Sequence, residues 1–92
     1  MKTQVTNFEQ LDSVTEEIGE AVVLRLLGRA TAGTLDYLEE LLRNILSGRP
    51  AKVVIEGSEL AELASVAVSA LMRFGREIAR FGGETRMISL PL

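Results

Sequence analysis

Three glutamates and three serines between positions 56 and 69 are the side chains best placed to do chemistry in this 92-residue chain. Glu56, Glu59 and Glu62 recur every three residues. Carboxylates so spaced could hold a cation, or divide acid and base roles if their surroundings split their pKa values. The rest of the chain supplies nothing to complete such a site. It has no histidine and no cysteine, hence no imidazole base, no thiolate nucleophile, no disulfide and no zinc set. No P-loop, dinucleotide fingerprint or nucleophile elbow occurs. The glutamates therefore read as a solvated acidic turn, with no metal and no cofactor, in a chain that is not an enzyme. Ser58 and Ser69 have no base nearby in sequence and read as turn and helix-surface residues. Ser65 differs by position, because it falls where a helix opens after a strand. A serine there is an N-cap. A phosphoserine there would meet free backbone N–H groups and the positive end of the helix dipole. Both readings stay open on the residues alone.

The elements that position Ser65 follow from hydrophobic patterning. Lys52-Val53-Val54-Ile55-Glu56 is a β-branched run that reads as a central strand. Gly57 to Ala64 reads as a polar turn, and Val66 to Phe81 as a helix with a wide apolar arc (Ala67, Val68, Ala70, Leu71, Phe74, Ile78, Phe81) and a basic stripe of Arg73, Arg76 and Arg80. Upstream, Glu20 to Leu27 is nearly all apolar and predicts another central strand, covered on both faces and ended by Gly28. Arg25 within it needs an edge or a partner charge. After a turn in which Thr31 or Thr34 can act as a cap, Leu35, Leu38, Leu41, Leu42, Ile45 and Leu46 mark one face of a helix ending near Ser47. Glu39 and Arg43 are spaced for an i,i+4 ion pair. Gly48 suits its C-cap, and Arg49-Pro50 stops it. Gly82-Gly83 ends the second helix, and Glu84 to Leu90 reads as a last strand.

The N-terminal segment is harder to read. Gln4-Val5-Thr6 predicts a short strand. The spacing of Phe8, Leu11, Val14 and Ile18 is helix-like, but Asn7, Asp12, Ser13 and Thr15 form helices poorly. The expectation is a loop or turn of helix that lays Phe8 and Leu11 on the core. The whole order is weak β, then β, α, β, α, β, with parallel pairing of the later strands. With only two firm helices, one sheet face should be covered and the other left open unless something else covers it.

Composition bounds the function class. Apolar residues make up 47% of the chain and aromatics only 4%, so the core is aliphatic. The length fits one domain over residues 1–92. A net charge of -3 argues against nucleic acid as a partner. No apolar run nears the roughly 20 residues of a membrane span, and the N-terminus lacks a signal-peptide core. A cytoplasmic location without membrane insertion fits these features and the lack of cysteine.

The arrangement resembles the STAS domain, the fold of bacterial anti-sigma factor antagonists. The resemblance covers Glu20 to Leu90. It rests on a strand ending Leu26-Leu27-Gly28-Arg29, the Leu35 to Leu46 helix, the strand Val53-Val54-Ile55-Glu56, a serine at the next helix start, and Gly82-Gly83 before a strand. It implies an α/β, STAS-like fold, about four strands in a mostly parallel or mixed sheet with helices mainly on one face. The family's Asp-Ser-Ser/Thr-Gly-Leu-Gly-like segment corresponds here to Ala64-Ser65-Val66-Ala67-Val68-Ser69, which puts Ser65 on the position a partner kinase phosphorylates. Ala64 replaces the aspartate, Val66 the next hydroxyl residue, and Ala67 and Ser69 two glycines. The family usually continues past this last strand with a further helix. The resemblance implies a protein partner, an anti-sigma factor kinase or related regulator, and the surface predicted to meet it comprises Glu59, Glu62, Ala64, Ser65, Val66, Ser69, Arg73 and Arg76. A homodimer would bury sheet surface left open. The alternative is a constitutive scaffold subunit of a signalling assembly or of a lipid-transport ATPase complex, not phosphorylated. A nucleotide-binding domain lacks a visible phosphate-cradling loop.

Overall fold

A computed structural model describes residues 10–91. β1 (Leu11–Ile18) and β2 (Ala21–Ala30) form a hairpin, with Gly19 at φ +62° in the connecting turn. A 3₁₀ turn (Ala32–Thr34) leads into α1 (Leu35–Ser47), followed by β3 (Lys52–Leu63), α2 (Ser65–Arg80) and β4 (Glu84–Ile88). The four strands lie in the order β1-β2-β3-β4. The β1–β2 pair is antiparallel, and β2, β3 and β4 run parallel. The expected α/β fold with a mixed sheet is the fold found.

Side-chain alternation along the strands sorts the sheet into two faces. Leu24 and Leu26 of β2 and Val53 and Ile55 of β3 are buried in one cluster with Leu38 and Leu42 of α1 and Ala67, Leu71, Phe74 and Ile78 of α2. Both helices therefore cover the same face. Each large side chain buried there contributes about 1.5–3 kcal/mol. Val23, Arg25, Val54 and Glu56 alternate onto the other face and remain partly exposed. The all-apolar run of β2 thus predicts two-sided cover that the described residues do not supply: among them the run is central in the sheet but packed on one side only. Among the described residues, both helices lie on one face and the other is left open, as expected.

Several local expectations are corrected. Leu11 to Ile18 is a strand, not a loop or helical turn. Its helix-like spacing misleads because Leu11 is buried, while Val14 and Ile18 are exposed. Val14 pairs with Arg25 and so lies on the open face. The strand expected at Gln4 to Thr6 and the core contact expected of Phe8 fall outside the described residues. Gly28 does not end β2. It stands within the strand at φ +99°, where a Cβ would come within 2.5 Å of the Gln10 carbonyl oxygen. The last strand ends at Ile88 rather than Leu90.

The stretch that reads as a polar turn, Gly57 to Ala64, is mostly strand: β3 continues to Leu63. Its turn-like residues mark bulges instead, as glycine in a strand often does. Pairing shifts between Arg25 and Leu27, where Glu56 gives way to Glu59, and again between Gly28 and Arg29, where Leu60 gives way to Glu62. Nine steps along β2, from 21 to 30, are matched by eleven along β3, from 52 to 63.

Cap and charge partners also differ from expectation. Thr31 caps the 3₁₀ turn through a reciprocal capping box with Thr34, whereas Thr34 makes no side-chain cap bond to α1. Glu39 does not turn to Arg43 along its own helix. It accepts a 2.9 Å hydrogen bond from Arg73 of α2, joining the two helices across their surface.

Candidate partner-binding site

The carboxyl ends of β2 and β3 deliver the start of α2. The Ala64 N–H donates to the Ala30 carbonyl at 2.8 Å, which fixes the last residue before the helix to the end of β2. Ala64 is the N-cap, with extended backbone at φ -76° and ψ 159°. Ser65 is therefore the first helical residue and not the cap expected from sequence. A methyl side chain cannot accept from the first-turn N–H groups, and no acidic residue stands in that turn. The Ala64 carbonyl accepts from Ala67 and Val68 at 3.0 and 3.1 Å. The helix start is thus uncapped by side chains, electropositive and exposed at Ser65.

From there an exposed stripe runs down α2. Ser65, Val66, Ser69, Met72, Arg73 and Arg76 follow at helical spacing, all exposed. Val66 and Met72 are 42% and 53% exposed, large apolar side chains facing water. Met72 is not among the residues that sequence singles out, although its place seven residues after Ser65 puts it on the same face. Arg73 is held by Glu39, a partnership equally absent from the sequence reading, because a pair between two helices leaves no trace in linear spacing. Arg76 makes no ion pair among the described residues. Arg80 pairs with Glu77 at 2.8 Å.

The three glutamates do not converge. Glu56 lies on the open sheet face beside Arg25, with 3.4 Å between Oε1 and Nε. Its other oxygen accepts from the Ser58 N–H at 3.0 Å. The Ser58 hydrogen bond, and after it Arg25, hold the Glu56 carboxyl below its usual range. Glu62 pairs with Arg29 at 3.0 Å, next to the start of α2. Glu59 is exposed beside Leu27 in the register. Among the described residues no group of three or more acidic, histidine or cysteine side chains is arranged to hold a metal. The structure therefore brings Glu62, Ala64, Ser65 and Val66 together at one end. Ser69, Arg73 and Arg76 continue along the helix.

Concavities among the described residues lie away from Ser65. A cleft of about 390 Å³ opens between the β1–β2 hairpin and the end of α1, lined by Glu17, Val22, Asn44 and Ile45 among others. A groove of about 260 Å³ separates α1 from α2 beside Glu39, Arg73 and Phe74. No described helix is long and apolar enough to cross a membrane.

A family model described as the STAS domain matches residues 12–91. Among curated proteins no relative matches. Among solved structures, the chain is similar to an anti-sigma factor antagonist from Mycobacterium paratuberculosis. That match has a TM-score of 0.80 and 18% identity, over 90% of this chain and 72% of that one. An anti-sigma factor antagonist STAS domain from Rhodobacter sphaeroides matches with TM-score 0.70 and 18% identity, over 86% of each chain. The Bacillus cell fate determinant SpoIIAA in its phosphorylated form matches with TM-score 0.66 and 21% identity, over 80% of this chain and 68% of that one. At these identities the structures share the fold.

Proposed function

Because the chain belongs to the STAS domain family, matched over residues 12–91, we propose that it is a non-catalytic regulatory module that docks a protein partner, switched by phosphorylation at Ser65. The partner class is an anti-sigma factor or serine kinase related to those of anti-sigma factor antagonists. The docking surface is the end of β3 and the exposed stripe of α2: Glu59, Glu62, Ala64, Ser65, Val66, Ser69, Arg73 and Arg76. Met72 joins them as an apolar anchor between the serines and the arginines.

One observation carries this reading. Ser65 is exposed at the first helical position, in a turn with no side-chain cap and no acid. A phosphate there gains the free N–H groups and the dipole. It also brings roughly -1.5 to -2 charges beside Val66, converting a weakly apolar helix start to an anionic one. The likeness to SpoIIAA, whose structure was solved in a phosphorylated form, supports the same reading.

The experiment is incubation of the chain with the cognate kinase and ATP, followed by intact mass. A gain of one phosphate that vanishes in Ser65→Ala is expected, together with loss of binding by the modified form. No gain, or a gain that survives Ser65→Ala, removes the switch. A second reading has its own support: Ala64 offers no side chain to the helix start, and Val66 is an exposed apolar residue where a hydroxyl would suit kinase recognition. In that reading the same surface binds constitutively, as a scaffold subunit, and partner affinity does not change when ATP is added.

A further inference from the structure

The sheet face opposite the helices carries a pattern that is its own complement, and we propose that it is a homodimer interface in which two sheets pack face to face. The register sets out two rows across the four strands. One row reads Glu16, Val23, Val54, Arg86, and the next reads Val14, Arg25, Glu56, Ile88. None of these residues is buried. Val14 and Ile88, at the two edges, are 46% and 47% exposed.

Consider a second copy turned by a half rotation about an axis parallel to the strands, between β2 and β3. β1 then lies over the partner's β4, and β2 over the partner's β3. Glu16 meets Arg86, Val23 meets Val54, Val14 meets Ile88 and Arg25 meets Glu56. Each meeting occurs twice by symmetry. Every acid in these rows faces a base, and every aliphatic side chain faces another. The Arg25–Glu56 pair of one copy stacks inverted on that of the other, so that opposite charges face. A rotation about the in-plane axis across the strands does the reverse. It sets Arg25 over Val23 and Glu56 over Val54, burying charge on apolar surface at a cost. The pattern therefore selects one orientation, with strands of the two sheets aligned to within about 30° and the sheets about 10 Å apart. The rows on either side, Ile18, Ala21, Lys52 and Glu84 at one end and Asp12, Leu27 and Glu59 at the other, are not matched in this way. They lie towards the ends of the sheet, where twist splays the two copies apart and water reaches the charges.

An interface so mixed in charge owes its register to electrostatics more than its strength. It is a reversible, concentration-dependent dimer. It leaves α2 exposed on the far side of each copy, so it stands whether or not Ser65 is a switch.

The test is sedimentation of the full chain across a dilution series, with circular dichroism to confirm that variants fold. The expected result is a mass rising from the 10.0 kDa of one chain toward twice that value. Arg86→Glu and Glu16→Arg each set like charges against one another and weaken the dimer at least about tenfold, since like-charge contacts are costly at interfaces. The double variant restores the pairing with its sense exchanged and recovers the dimer. A chain that stays monomeric at every concentration overturns the proposal, even if an unlike protein takes the face instead. So does a dimer indifferent to both single reversals, or a double variant no better than either single.

Discussion

Arg25 and Glu56 stand side by side on neighbouring parallel strands, 3.4 Å apart at Nε and Oε1, on the sheet face that no described helix covers. Glu56 is further fixed by the Ser58 N–H at 3.0 Å. The Ser58 hydrogen bond is the main cause that lowers its pKa from the ordinary value of 4.5, with Arg25 adding to it and burial opposing it. A carboxyl held lower in the folded than in the unfolded chain binds fewer protons when folded. Its contribution to stability is complete above the unfolded value near 4.5 and is lost as pH falls through the folded value. Urea midpoints should therefore be level from neutral pH down to about 5 and fall below it. Glu56→Gln should flatten part of that fall. Glu84, lowered chiefly by its hydrogen bond with Arg86, should account for another part.

The start of α2 is open to improvement. Ala64 already has the extended backbone of an N-cap, but no side-chain oxygen to accept from the first-turn N–H groups. Ala64→Asp should raise stability by about 0.5–2 kcal/mol, read as a higher urea midpoint at unchanged slope.

Two glycines should respond in opposite ways to alanine. At Gly28 the backbone is at φ +99° and a Cβ would press on the Gln10 carbonyl oxygen at 2.5 Å. Gly28→Ala should cost about 1–3 kcal/mol. Gly75 lies inside α2, with nothing within 4 Å of the place a methyl group would occupy. Gly75→Ala should stabilise by about 0.5–1 kcal/mol. Thermal unfolding of both variants beside the parent checks the pair.

The core should behave as one unit. Leu24, Ile55 and Leu71 are almost wholly buried, one in each of β2, β3 and α2. Truncation of any one to alanine should cost about 2–5 kcal/mol in denaturant unfolding. The Glu39–Arg73 pair joins exposed side chains, 36% and 54% accessible. A double-mutant cycle on it should give no more than about 1 kcal/mol. Arg73→Ala should therefore weaken partner binding without a matching loss of stability.

The parts of this fold legible in sequence are those set by apolar periodicity. The stripe from Leu35 to Leu46 and the arc from Ala67 to Ile78 mark helices whose faces pack on one sheet. The runs around Leu24 and Val54 mark adjacent parallel strands. What misleads are residues whose local chemistry matches two structures. Gly57-Ser58-Glu59 suits a turn as well as a bulge, and only pairing with β2 decides between them. Leu11, Val14 and Ile18 suit a helix, until pairing with β2 puts the first on the covered face and the others on the open one. Sequence places Ser65 to within one position of its structural role, because the extended backbone of Ala64 takes the cap's place. Met72 escapes the sequence reading, which places it neither in the apolar arc nor on the partner surface, and it faces water on the exposed stripe.

The two bulges of β3 bear on how this chain tolerates changes of length. They are surplus residues, two more than the paired stretch of β2 requires. Removing one from the segment between Glu56 and Glu62 would restore ordinary pairing rather than break it, and the strand would still reach α2. Ser65 would then keep its place, because Leu63 would still pair with Ala30 and the Ala64 N–H would still donate to the Ala30 carbonyl. The bulged segment is slack in the chain. Loss of a residue there would be taken up by a bulge, leaving the start of α2 tied to the end of β2.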